Sequence, residues 1–145
     1  MSRRRDRPDA DPGPEPLERT CRVCGRRMER RARWGDHYDE VRYCSSGCRR
    51  RGLRPVDERL EDALLDLLAR RARDASVCPS EAARLVAGHG TDRDEDAWRP
   101  LMEPARMAAR RLVARGHVEI TQHGRVVDPS TAKGPVRVRL PRTAR

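Results

Sequence analysis

The sequence contains no phenylalanine and no asparagine, a single isoleucine (Ile120) and a single lysine (Lys133), and aromatics make up only 3% of its 145 residues. A chain this poor in large apolar side chains has little material for a core, and a small segment of it needs a metal or disulfides to fold. No apolar run is long enough for a signal-peptide core or a membrane span, so the expectation is a cytoplasmic protein with no membrane partner. Thiols in that compartment are kept reduced, and close cysteine pairs there serve as metal ligands rather than disulfides. Glycine-rich phosphate loops, paired catalytic carboxylates and a Ser/His/Asp arrangement are also missing. His89, His117 and His123 fall in predicted loops or strand ends with no clear partner. The expectation is therefore not an enzyme, with no small-molecule substrate and no catalytic residue; a thiol activity at Cys78 is the remote alternative.

Charge, by contrast, is plentiful. Charged residues make up 39% of the chain, and 33 basic against 23 acidic residues give a formal charge of +10. The preference for arginine over lysine is what GC-rich codon usage produces, but codon usage does not remove the basic excess. The excess predicts affinity for a polyanion, nucleic acid first and an acidic membrane surface second. It is uneven: residues 1–56 hold 16 basic and 9 acidic residues, residues 57–145 hold 17 and 14.

The chain divides into parts. Residues 1–19 are rich in Pro, Asp and Arg without periodicity and read as a disordered tail. Residues 20–50 carry four of the five cysteines, 51–56 form a basic linker, 57–141 show helical and then strand-like patterns, and 142–145 are a short tail. Cys21 and Cys24 form C-x2-C in "CRVCGRR"; Cys44 and Cys48 form C-x3-C in "YCSSGC". Two close pairs separated by nineteen residues are the usual layout of a structural four-thiolate zinc site, so one structural Zn2+ is the expected cofactor. Gly25 suits a tight turn at the first pair. The spacing of four puts Cys44 and Cys48 on one face of a helical turn that Arg49, Arg50 and Arg51 continue. These arginines offset the anionic site before any partner is considered. An iron–sulfur cluster and a redox disulfide at Cys21–Cys24 fit less well, since no thioredoxin-like pattern surrounds the pair. His37 reads as a loop residue, and Trp34, Tyr38, Val41 and Tyr43 as a minimal core on the metal.

These residues, "CRVCGRRMERRARWGDHYDEVRYCSSGCR", resemble the small zinc-finger family of unknown function DUF2256. The likeness covers residues 21–49, with Met28 where the family usually has Phe and Tyr38 where it usually has Trp. The resemblance implies a zinc finger and no established activity.

In the second part, "PVDERLEDALLDLLARRA" places Val56, Leu60, Ala63, Leu64, Leu67 and Leu68 at helical spacing. "CPSEAARLVAG" reads as a short helix, with Pro79 in its first turn and Gly88 at its stop. Cys78 before it reads as a small buried residue or a cap. Pro100 and Pro104 forbid one regular helix through their stretch, so a turn around Trp98 and a third helix over Glu103 to Arg115 are expected. The period then changes to two: "HVEIT", a three-residue "QHG" turn, "RVV", and later "VRVRL" with Val136, Val138 and Leu140 facing in. Three helices followed by a hairpin is the order of a winged helix. The fold class expected is thus mainly α with a small β-hairpin wing (a winged helix-turn-helix), preceded by a treble-clef-like four-cysteine zinc finger. In such a fold the third helix and the wing meet nucleic acid. The candidate contacts are Arg99, Arg106, Arg110, Arg111, Arg125, Arg137 and Arg139. Winged helices also dock proteins, so an adaptor with a protein partner is the alternative. "CPSEAARLV", "WRPLMEPARMAARRLVARGHVEITQHGRVVD" and "KGPVRVRL" resemble a second family of unknown function, DUF3253, over about residues 57–140. That resemblance implies a winged-helix-like architecture and again no proven activity.

Overall fold

The structure is a computed structural model, and it describes residues 18–29, 41–88 and 96–141. Trp34, His37, Tyr38 and His89, with residues 1–17 and 142–145, lie outside the described residues; Glu18 and Arg19, expected as the end of the N-terminal tail, belong to the first strand.

Two short strands, β1 (Glu18–Thr20) and β2 (Arg27–Glu29), pair antiparallel with Thr20 opposite Arg27, and the first cysteine pair sits in the turn between them. Helix α1 (Ser46–Arg51) follows the second pair's first member. Ser45 caps it: its hydroxyl accepts from the Cys48 amide at 3.1 Å, satisfying a donor that the first turn would leave bare.

The helical domain begins with α2 (Pro55–Ala69), started by Pro55 in its first turn and by Asp57, whose carboxylate accepts from the Arg54 amide at 2.7 Å. Its face Leu60, Ala63, Leu64, Leu68 is buried, as the i, i+3, i+4 spacing requires. After strand β3 (Ser76–Val77) comes α3 (Pro79–Ala87), whose Glu81 accepts from the Cys78 amide at 2.9 Å and which Gly88 ends at φ +84°. A 3-10 turn (Arg99–Leu101) leads into α4 (Met102–Ala114). Pro104 is tolerated because it falls in the first turn of α4, where its missing donor has no partner to lose. The expected turn and third helix are thus present, the helix one residue earlier at each end.

Strands β4 (Glu119–Gln122), β5 (Arg125–Val126) and β6 (Arg137–Arg139) complete the chain. All pairings are antiparallel and the sheet order is β3-β6-β4-β5. Strand β3 had no sequence signature, because two residues cannot display a period. The β4–β5 connection differs from the expected three-residue "QHG" turn. Gln122 still pairs with Arg125, and the loop is His123-Gly124 alone, with φ of +51° and +79°. Positive φ at both central residues marks the primed turn whose twist matches a two-residue hairpin. The main core gathers Leu60, Leu64, Leu68, Val77, Ala82, Ala83, Ala105, Ala108, Leu112, Val118, Ile120 and Val138 from three helices and the sheet. Alanines from all three helices (Ala63, Ala82, Ala83, Ala105, Ala108 and Ala109) share it with the leucines, and Trp98 packs against it half-buried. Among the described residues no helix is long and apolar enough to cross a membrane.

Candidate metal centre

The four cysteines of the two pairs converge. The sulfurs of Cys21, Cys24, Cys44 and Cys48 all lie within 4.8 Å of one another, with Cys24–Cys44 and Cys44–Cys48 each at 3.7 Å. A disulfide needs about 2.05 Å. Four thiolates at zinc–sulfur distance on a tetrahedron would lie about 3.8 Å apart. The spacing therefore fits a metal held by four sulfurs and no cystine. An all-thiolate donor set suits a soft or borderline metal such as zinc.

Local backbone builds the two halves. The β1–β2 hairpin closes through the Cys21 amide donating to Arg26 O at 2.8 Å, and the Gly25 amide donates to Cys21 O at 3.0 Å. The Val23 amide points at the Cys21 sulfur at 3.4 Å, partly neutralising charge there. The halves are joined by the Arg22 amide, which donates to Arg42 O at 2.9 Å. Cys21 and Cys24 are buried, Cys44 and Cys48 half-buried.

Electrostatics points the same way. A hydrogen bond from the Cys24 thiol holds the Cys21 thiol down to about 4, against the effect of burial. The same bond, with burial, pushes Cys24 far above the ordinary thiol range. Burial and then the Cys44 sulfur push Cys48 up. Each thiolate formed makes the next harder to form, and a cation between the sulfurs would offset that repulsion. Cys78 lies outside this cluster. It stands at the N-terminus of α3, half-buried, with the Ser80 hydroxyl donating to its sulfur at 3.1 Å.

The cysteine-bearing segment is not a free-standing unit. Its small core of Cys21, Val23, Cys24 and Met28 is completed by Met107 from α4, with Val41 and Tyr43 packed alongside. Gly25 lies directly on α4: a Cβ there would come within 2.5 Å of the Arg110 Cβ and 2.7 Å of the Arg111 backbone nitrogen. At φ +78° and with that approach, glycine is the residue the position accommodates. Two guanidinium groups clamp the turn. Arg110 Nε donates to Cys24 O at 2.6 Å, and its Nη2 donates to Glu103. Arg111 Nη1 donates to Val23 O at 2.6 Å, Nη2 to Asp57 O at 3.2 Å and Nε to Glu61. On the other side, Arg51 at the end of α1 makes a two-pronged bond to Asp57 at 2.8 and 2.9 Å. Burial works to raise the Asp57 carboxyl; that bond and the Arg54 amide outweigh it and hold the group below the usual carboxylate range. Strand β2 is tied down separately, by the Arg27 amide donating to Ser130 Oγ at 2.8 Å and the Arg27–Asp128 ion pair at 2.9 Å.

The seven arginines expected to meet nucleic acid are therefore not one surface. The side chains of Arg110 and Arg111 are 8% and 4% exposed and face the cysteine turn. Arg139 is half-buried on Glu119, its cross-strand neighbour. Arg99 pairs with Asp96 and stacks on Trp98, whose ring Arg84 also covers. Arg106 donates to Gly134 O, and Arg137 to Ser76. Arg125, in β5, is exposed. Sequence reasoning missed the inward use of Arg110 and Arg111. The available signal was Asp57 and Glu61, two acids at helical spacing on the face that carries Leu60 and Leu64.

Comparison with protein families agrees with this two-part layout. Residues 57–141 match the family described as protein of unknown function DUF3253, and the chain belongs to that family. Residues 15–51 match a second description, uncharacterized protein conserved in bacteria, DUF2256. No curated protein matches the chain.

Proposed function

We propose that this chain is a zinc-stabilised, winged-helix-like protein that binds nucleic acid as an accessory or regulatory factor. The observation that carries the reading is the order α2–β3–α3–α4–β4–β5 with β3 in the same sheet as the hairpin, in a chain of formal charge +10. Helix, strand, two further helices and a hairpin is how a winged helix-turn-helix is assembled, and the charge supplies the polyanion affinity. Zinc is the metal that four thiolates at these separations suit best, and its role is structural: all four positions are filled by protein, leaving none for a substrate. The chemistry is binding, not catalysis.

The test is fluorescence polarisation of the zinc-loaded chain with labelled duplex DNA, duplex RNA and single strands at low salt. Binding that weakens steeply as salt rises is expected. Absence of binding to every probe removes the reading.

A second reading is favoured by one observation: the face of α4 under Gly25 is already occupied by protein, namely the cysteine turn itself. The domain is then a docking platform for a protein partner. Recovery of one stoichiometric partner from cells in the presence of nuclease supports that reading; recovery that nuclease abolishes supports nucleic acid.

A further inference from the structure

We infer that the nucleic-acid contact is made by a collar of arginines around the metal centre rather than by α4 and the hairpin. The inference rests on the nucleic-acid reading above and assigns its surface. The collar is Arg22, Arg26, Arg42, Arg49 and Arg50. All five are exposed, and none has a side-chain partner among the described residues. Each lies within two residues of a cysteine of the cluster, so the metal centre fixes where all five stand. Arg22 and Arg42 are bonded to one another through the backbone, and Arg49 and Arg50 follow Cys48 along α1.

Charge accounting favours the same face. The described residues 18–29 and 41–52 hold eight arginines against two acids, Glu18 and Glu29. A zinc ion with four thiolates removes about two units of that excess, and a clear positive balance remains. On α4, in the turn before it and in β6 the basic side chains are instead mostly paired within the protein, as described for Arg99, Arg110, Arg111 and Arg139. Groups already paired release few counterions on meeting a phosphate; unpaired exposed arginines release theirs, and that release drives the association.

The collar also indicates what part of a nucleic acid it meets. It contains no amide side chain for adenine, and Tyr43, beside it, is half-buried in the core. Adenine readout and stacking on an aromatic ring both need groups it does not offer, and guanine is the one base its arginines could read. Its ligand is the phosphodiester backbone of a duplex, bound with little sequence selection.

The experiment uses the full zinc-loaded chain and a labelled duplex of arbitrary sequence, as DNA in one arm and RNA in the other. Two charge reversals are compared, Arg49→Glu with Arg50→Glu in the collar and Arg125→Glu with Arg137→Glu on the strands. The collar variant is expected to bind about ten-fold or more weakly and to flatten the salt dependence by about two units of slope, while the strand variant stays within about two-fold. Zinc content is measured on each protein. Should the collar variant lose metal, Arg22→Gln with Arg42→Gln takes its place, with the same expectation at smaller amplitude. Loss in the strand variant with the collar variant intact overturns the inference and leaves the nucleic-acid reading standing. Failure of the unaltered chain to bind any duplex overturns both. Equal binding of scrambled sequences supports backbone contact; strong sequence selection overturns it.

Discussion

In the cysteine-bearing segment, residues 18–29 and 41–52, the buried side chains beyond the cysteines are Val23 and Met28, and they need Met107 from α4 to close over them. In residues 55–141 more than a dozen aliphatic side chains form one contiguous core. In the first region four sulfurs converge where an apolar core is lacking; the second is held by removal of apolar surface from water. Burying a leucine contributes about 1.5–3 kcal/mol; a four-thiolate zinc site contributes about 10–16 kcal/mol to a segment that cannot otherwise fold. The two regions nevertheless meet through charged groups, Arg110 and Arg111 on one side and Arg51–Asp57 on the other. Two ordering mechanisms can thus share one interface while differing in what destroys each.

Removing the metal separates the two regions most sharply. Chelation, or Cys48→Ser, is expected to abolish amide protection in 18–29 and 41–52 while α2 and the sheet stay protected, because their core contains no sulfur ligand. Hydrogen exchange read by mass spectrometry checks this, and loss of protection throughout would show that the core depends on the metal after all.

Leu64→Ala attacks the other region. Leu64 is fully buried in the main core, and its truncation should cost about 2–5 kcal/mol. Calorimetry of the zinc-loaded protein should show this loss, with zinc stoichiometry unchanged at temperatures where the domain remains folded.

The interface comes next. Arg111→Met keeps the aliphatic stem and removes three donors, leaving Val23 O and Asp57 O without their partner; a loss of about 1–3 kcal/mol is expected. Faster zinc transfer to a chromogenic chelator should accompany it, since the cysteine turn loses its clamp. A variant with lowered stability and unchanged metal release would show that the clamp serves only the helical domain.

The smallest effect is acid sensitivity. Asp57 has a depressed folded-state pKa, so its contribution is present above the ordinary carboxylate value and disappears as pH falls through its folded value. Stability should therefore fall as pH drops below about 4, and Asp57→Asn should be less stable at neutral pH with a flatter acid limb. Denaturant titrations at several pH values decide it; parallel acid limbs would remove Asp57 from the account.

Much was legible in the sequence because it was local. The C-x2-C and C-x3-C spacings, the Leu60–Leu68 face of α2, the prolines that start α2 and α3, and the glycine that stops α3 are each readable within a few residues. The β4–β5 turn was placed correctly and typed wrongly, because a composition of His and Gly does not say which residues adopt positive φ. The acids Asp57 and Glu61 were a faint signal for the buried guanidiniums, but the carbonyls that bind them were not legible. Arg110 and Arg111 look like any arginines on an amphipathic helix, and two of the carbonyls they bind, those of Cys24 and Val23, are more than eighty residues away.

The sequence alone therefore determined the four-sulfur cluster, the helices and the basic excess, since ligand spacing, apolar period and charge are properties of short stretches or of the whole composition. Which arginines stay exposed was decided by tertiary structure. Docking of the cysteine turn on α4 buries two of them and leaves the collar exposed, because a desolvated guanidinium must find acceptors within the fold and an exposed one need not.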